Sequence, residues 1–143
     1  MVRKEVVAKL LESLREKIEL MRPLQIASLA ELTKDLVRYN GLLHLMQLSV
    51  EHVSDISAHL LASTDAAPPD GYREVILKAG EQGILPADFA RRIAPMAGFR
   101  NIVVHHYLTV DPALVQTYLR ENLQDFEQFI GYILAFLKDK PEN

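Results

Sequence analysis

The chain has neither cysteine nor tryptophan, and phenylalanine and tyrosine together make up only 7% of it. Without cysteine there is no disulfide framework and no cysteine-ligated zinc or iron–sulfur site. That suits a reducing compartment, and a cytoplasmic location is the expectation. Long apolar runs are also missing: the opening MVRKEVVAKLLESLREKIEL carries a charge every few residues, unlike a signal peptide or a membrane span, so a soluble protein is expected. Nor is there an excess of basic charge. Sixteen lysines and arginines stand against 19 aspartates and glutamates, a formal net charge of −3. This argues against a protein that coats nucleic acid through a broad basic face, and it restricts any phosphate site to a local cleft.

What is present is aliphatic. Hydrophobic residues make up 49% of 143 residues, the length of one ordinary domain, so residues 1–143 are expected to form a single helical domain with a leucine, isoleucine, valine and alanine core. Val6, Val7, Leu10, Leu11, Leu14 and Ile18 recur at helical spacing until Pro23. Ser28 and Glu31 have the spacing of a capping box and start a second segment. Leu36, Leu43, Met46, Val50, Val53, Ile56 and Leu60 mark a long central helix that runs through Gly41. TDAAPPDGY, residues 64–72, is a turn-rich loop. A short helix then ends near Gly80 or Gly83, and Pro86 with Asp88 opens another through Phe89, Ile93 and Met96 that is expected to stop near Ala97–Gly98. Asp111-Pro112 begins the last long helix, whose stripe runs from Val115 to Leu137. With no strand alternation and no βαβ pattern, the fold expected is all-α, an up-and-down bundle of four to five helices.

The polar concentration is FRNIVVHHY, residues 99–107, which sets Arg100, Asn101, His105, His106 and Tyr107 side by side in sequence. At about 100° per residue, Arg100 and Tyr107 share a helix face, whereas His105 lies about 140° from Arg100. One straight helix therefore does not unite Arg100 with His105. Either the chain leaves helical geometry near His105, or two copies face each other across a dimer axis; the second is preferred. Such a cluster suits RNA cleavage without metal. A neutral histidine removes the proton of a ribose 2′-hydroxyl, and an arginine fork holds the scissile phosphate. Asn101 can orient either partner, and Tyr107 can donate a hydrogen bond. His105 and His106 project about 100° apart, which disfavours a metal pair.

This segment is similar to the Arg-x4-His-x-Tyr motif of the HEPN superfamily, specifically of HepT-like ribonuclease toxins, with Arg100, His105 and Tyr107 at the motif positions. The resemblance extends from about Leu36 to Ile133 and takes in LMQLSVEHVSDISAHLLA, PPDGYREVILKAGEQGILP, MAGFRN and LQDFEQFIGYI. It implies an all-α homodimer whose two motif segments line a cleft, with Arg100, Asn101, His105 and Tyr107 as the catalytic set. It implies a metal-independent RNase toxin that needs no cofactor and acts on RNA. It also implies a neighbouring MntA-like nucleotidyltransferase antitoxin that transfers AMP to Tyr107, placing bulk and negative charge where the substrate phosphate would bind.

Other polar residues carry weaker signals. Glu51 and Asp55 lie one turn apart on the long helix, as an acidic pair, as a support for Arg100, or as a solvated face. His106 is a further candidate support. His44, His52 and His59 fall near one side of the same helix, more than ~10 Å apart by rise per residue, too far to share a metal. Two other readings remain: a non-catalytic helical partner or nucleotide-binding subunit of a minimal nucleotidyltransferase, and a dimeric bundle with a vestigial motif.

Overall fold

Capping chemistry sets where the helices begin. In the computed structural model, which describes residues 2–141, Ser28 accepts the Glu31 N–H while the Glu31 carboxylate accepts the Ser28 N–H, and this box opens α2 (Leu29–Lys34). Asp35 caps α3 (Leu36–Leu61) by accepting from Val37 and Arg38. Asp111 caps α7 (Pro112–Lys138), with Pro112 in the first turn, where the missing N–H is harmless. The other α-helices among the described residues are α1 (Lys4–Met21), α4 (Tyr72–Glu81), α5 (Ala87–Ile93) and α6 (Met96–His105). Five of the seven reach ten residues, α1, α3, α4, α6 and α7, and they form the expected all-α bundle; α2 and α5 are one- and two-turn connectors. No described helix is long and apolar enough to cross a membrane.

The central helix is α3, which runs unbroken through Gly41 and packs against α1, α4, α6 and α7. Its Val53, Ile56 and Leu60 meet Leu14 and Ile18 from α1, Ile76 from α4, Ile93 from α5 and Phe129 and Ile133 from α7 in one buried cluster. Each such side chain contributes about 1.5–3 kcal/mol through removal from water. Phe99 stacks on Tyr118 with ring centroids 4.0 Å apart and so fastens α6 to α7.

Two expectations about the 86–105 region differ from the structure. The helix opened by Pro86 does not run through Met96 but ends at Ile93, because Pro95 has no N–H to donate to the carbonyl four residues back. The chain restarts at Met96, and α6 then passes straight through Ala97–Gly98 to His105 instead of ending there. A Cβ at Gly98 would meet nothing within 4 Å, so this glycine lies on an open helix face and terminates nothing. The break at Pro95 is what frees α6 to lie along α3.

At the α4–α5 crossing, a Cβ added to Gly80 would stand 2.6 Å from the Ala90 Cβ and 3.3 Å from the Ala87 Cα. Gly80→Val is therefore expected to lower stability by about 1–3 kcal/mol, the range for overpacking, read as a shifted urea midpoint with unchanged slope. Asp125 of α7 is buried 3.0 Å from Arg92 Nη1, out of hydrogen-bond alignment, and burial pushes its carboxyl pKa up more than Arg92 lowers it. A raised folded pKa means that the neutral form favours folding: the benefit is present below the unfolded pKa and is lost as pH rises through the folded one. Asp125→Asn is expected to raise Tm at pH 7, with the gain shrinking as pH falls toward 4.

Candidate active site

Arg100 sits in the second turn of α6 and points inward at α3. Its Nε donates to Oε2 of Glu51 at 3.1 Å, and Nη2 lies 3.1 Å from the same oxygen. Nη1 donates to Asn101 Oδ1 at 3.2 Å. The Tyr72 ring covers one face of the guanidinium, 4.4 Å from centroid to carbon, a cation–π contact. Glu51 is steadied in turn by Gln47, whose Nε2 donates to the same Oε2 at 3.0 Å. With side-chain exposures of 16% and 22%, Arg100 and Glu51 form a pair largely withdrawn from water. A guanidinium has five N–H donors. Those left on the Nη1–Nη2 edge remain for an incoming anion, held in a fork that matches a phosphate.

Tyr72 reaches this position because of the loop before it. Pro68 and Pro69 stiffen the approach, and Gly71 takes φ +92°, a left-handed turn that favours glycine. The Asp70 N–H donates to Glu74 Oε2 at 2.7 Å and closes the turn. Gln47 and Tyr72 were not singled out from sequence. Gln47 stands four residues before Glu51 on the same helix face, a readable signal; Tyr72 lies 28 residues from Arg100, and only the folded loop relates them.

The rest of the motif points elsewhere. His105 is the last residue of α6, exposed, with no hydrogen bond or ion pair to Arg100 among the described residues. His106 leaves helical geometry at φ −134°, ψ 34°, although its N–H still reaches Ile102 O at 2.8 Å. Tyr107 opens a 3-10 turn (Tyr107–Thr109) and is 59% exposed. The chain thus leaves the helix only after His105, and within one copy the 140° separation of Arg100 and His105 persists. Asp55 is exposed one turn beyond Glu51 and makes no bond to Arg100. His52 points to α1, where its Nε2 is 2.9 Å from Ser13 Oγ; burial, then the Lys17 ammonium, hold its pKa down. His59 Nε2 accepts the Arg3 N–H at 3.3 Å.

A family model described as Ribonuclease HepT-like matches residues 11–133. The chain belongs to this family. The tRNA nuclease HepT of Aphanizomenon flos-aquae is 30% identical over 93 residues, 65% of this chain and 63% of that relative, so the aligned part spans under two thirds of it. A protein of Archaeoglobus fulgidus is 32% identical over 124 residues, 86% of each chain. Among solved structures, a tri-AMPylated Shewanella oneidensis HEPN toxin in complex with an MNT antitoxin superposes with a TM-score of 0.81 at 21% identity, over 91% of this chain and 97% of that one. At that identity the likeness shows the HepT-like fold alone.

The Arg100–Glu51 contact is open to a direct check. Glu51→Ala leaves a mostly buried guanidinium without its acceptor, and is expected to cost about 1–3 kcal/mol in urea unfolding. Glu51→Ala combined with Arg100→Met is expected to cost less than the sum of the single changes, a coupling that a double-mutant cycle measures.

Proposed function

We propose that this HepT-like protein is a metal-independent ribonuclease toxin that works as a homodimer. The observation that carries this reading is the division of the motif: Arg100 is locked inward with an anion-binding edge left over, while His105 and Tyr107 stand exposed at the helix end. Exposed Ile102 (38%) and Leu108 (85%) flank them and supply apolar surface for a second copy. Across a two-fold axis, His105 of one copy approaches the Arg100 edge of the other.

In that cleft Arg100 holds the scissile phosphate, and Asn101 keeps the guanidinium in plane. Neutral His105 takes the proton of the ribose 2′-hydroxyl, and the resulting oxyanion attacks the adjacent phosphorus. The bond to the 5′-oxygen breaks, and that oxygen leaves with a proton from solvent. Tyr107 hydrogen-bonds nearby. A nucleotidyltransferase antitoxin silences the site by transferring AMP from ATP to the Tyr107 hydroxyl, releasing pyrophosphate; the solved HEPN toxin that shares this fold is itself AMPylated and bound to an MNT antitoxin. The exposure of Tyr107 gives an enzyme access to that hydroxyl.

Two observations favour a second reading. Glu51 already neutralises Arg100, and the chain is acidic overall, which suits a non-catalytic subunit that holds a nucleotide or the nucleotidyltransferase in the same cleft. Cleavage of RNA in EDTA separates the two. Unmodified wild type is expected to cut, and His105→Ala or Arg100→Ala to lose at least 10²-fold, the usual contribution of a general base or a phosphate clamp. Intact mass detects AMP, which Tyr107→Phe is expected to abolish. A dimeric, unmodified wild type that cuts no RNA replaces the ribonuclease with the non-catalytic subunit.

A further inference from the structure

Between α3 and α6, next to the Arg100–Glu51 pair, lies a shallow pocket of about 290 Å³. Its floor is apolar, from Leu43, Val103 and Val104, and its walls are Asn40, His44, Gln47 and Tyr107. Asn40, His44, Gln47 and Glu51 follow one another at four-, three- and four-residue steps, so they form a single stripe along α3. The pocket adjoins the Arg100–Glu51 pair: Gln47, one of its walls, donates to the same Glu51 oxygen that binds Arg100. From His44 to Glu51 is about 10 Å along the helix.

We infer that this pocket is a nucleobase subsite that receives one unpaired base beside the phosphate at Arg100, flanked by the Tyr107 and His44 rings and with its edge toward Asn40 and Gln47. The inference rests on the ribonuclease reading above and names the part of RNA that the same cleft selects.

Size, shape and chemistry agree. Pockets for drug-sized molecules run from about 300 to 1,000 Å³, so this one holds a single planar ring system. Unpaired bases are recognised by stacking on flat side chains and by hydrogen bonds to their edges, and Tyr107 and His44 are exposed rings that bound the pocket. The amide groups serve the edge of the base. Asn40 Nδ2 donates to the Leu36 carbonyl at 2.7 Å and Gln47 Nε2 to Glu51 at 3.0 Å, so each amide keeps its second N–H and its carbonyl oxygen for a ligand. Donors and acceptors side by side match the mixed edges of the nucleobases, so the wall favours a base over a bare sugar without choosing among bases.

Binding tests this without requiring turnover. Labelled, cleavage-resistant 2′-O-methyl dodecamers of mixed sequence, and dodecamers of the same length with abasic sugars throughout, are titrated against the wild-type protein by fluorescence anisotropy, and unmodified dodecamers are tested for cleavage alongside. The base-bearing strand is expected to bind at least fivefold tighter than the abasic one. Asn40→Leu and His44→Leu, both at exposed positions and checked for helical content, are expected to bring the base-bearing strand toward the abasic one while changing the abasic strand less than twofold. Equal affinity for both strands, binding of neither, or variants that weaken both by one factor overturn the subsite. Wild type that shows the difference but cuts nothing refutes the ribonuclease and keeps the subsite; wild type that cuts RNA with equal affinity for both strands does the reverse.

Discussion

A guanidinium taken mostly out of water has to be neutralised and hydrogen-bonded, and the Arg100–Glu51 pair meets that demand between α6 and α3. Much of the site follows from it. Gln47 is needed to hold the carboxylate, Asn101 to accept one Nη1 hydrogen, and Tyr72 to cover one face. Three helices thus converge on one cation, and the rotamer of Arg100 is set before any ligand arrives. For a phosphate clamp, that pre-organisation lowers the entropy lost on binding.

The same constraint separates the motif into two parts. Because α6 must turn Arg100 toward α3, helical geometry sends His105 outward, and the break at His106 then exposes Tyr107. A cleavage site assembled from both parts needs a second copy, and the surface around the helix end is suited to one: the same stretch carries exposed Ile102 and Leu108. In the proposed function, catalysis and assembly are one event, and a modified Tyr107 would obstruct both.

Legibility in the sequence tracked the range of the interaction. Ser28–Glu31 and Asp111 are caps whose partners lie within three residues, and the stripes of α1, α3 and α7 are periodic along a single segment, so each could be read locally. The course of residues 86–105 was harder. Gly98 read as a stop, yet the packing of Phe99 on Tyr118 and the burial of Val103 offset the roughly 1 kcal/mol that a helical glycine costs, while Pro95 acted as the true break. Glu51 stood out in the sequence as one of three readings, and nothing local decided among them.

The sequence by itself determined the all-α class, the positions of the long helices and the residues of the motif, because periodicity, capping and residue chemistry act over one or two turns. Only the tertiary structure decided that Glu51, not Asp55, takes Arg100, that Tyr72 stacks on it, and that His105 faces away. Those outcomes depend on how helices 28 to 49 residues apart rotate against one another, and that rotation is set by the shared core, which no single segment contains.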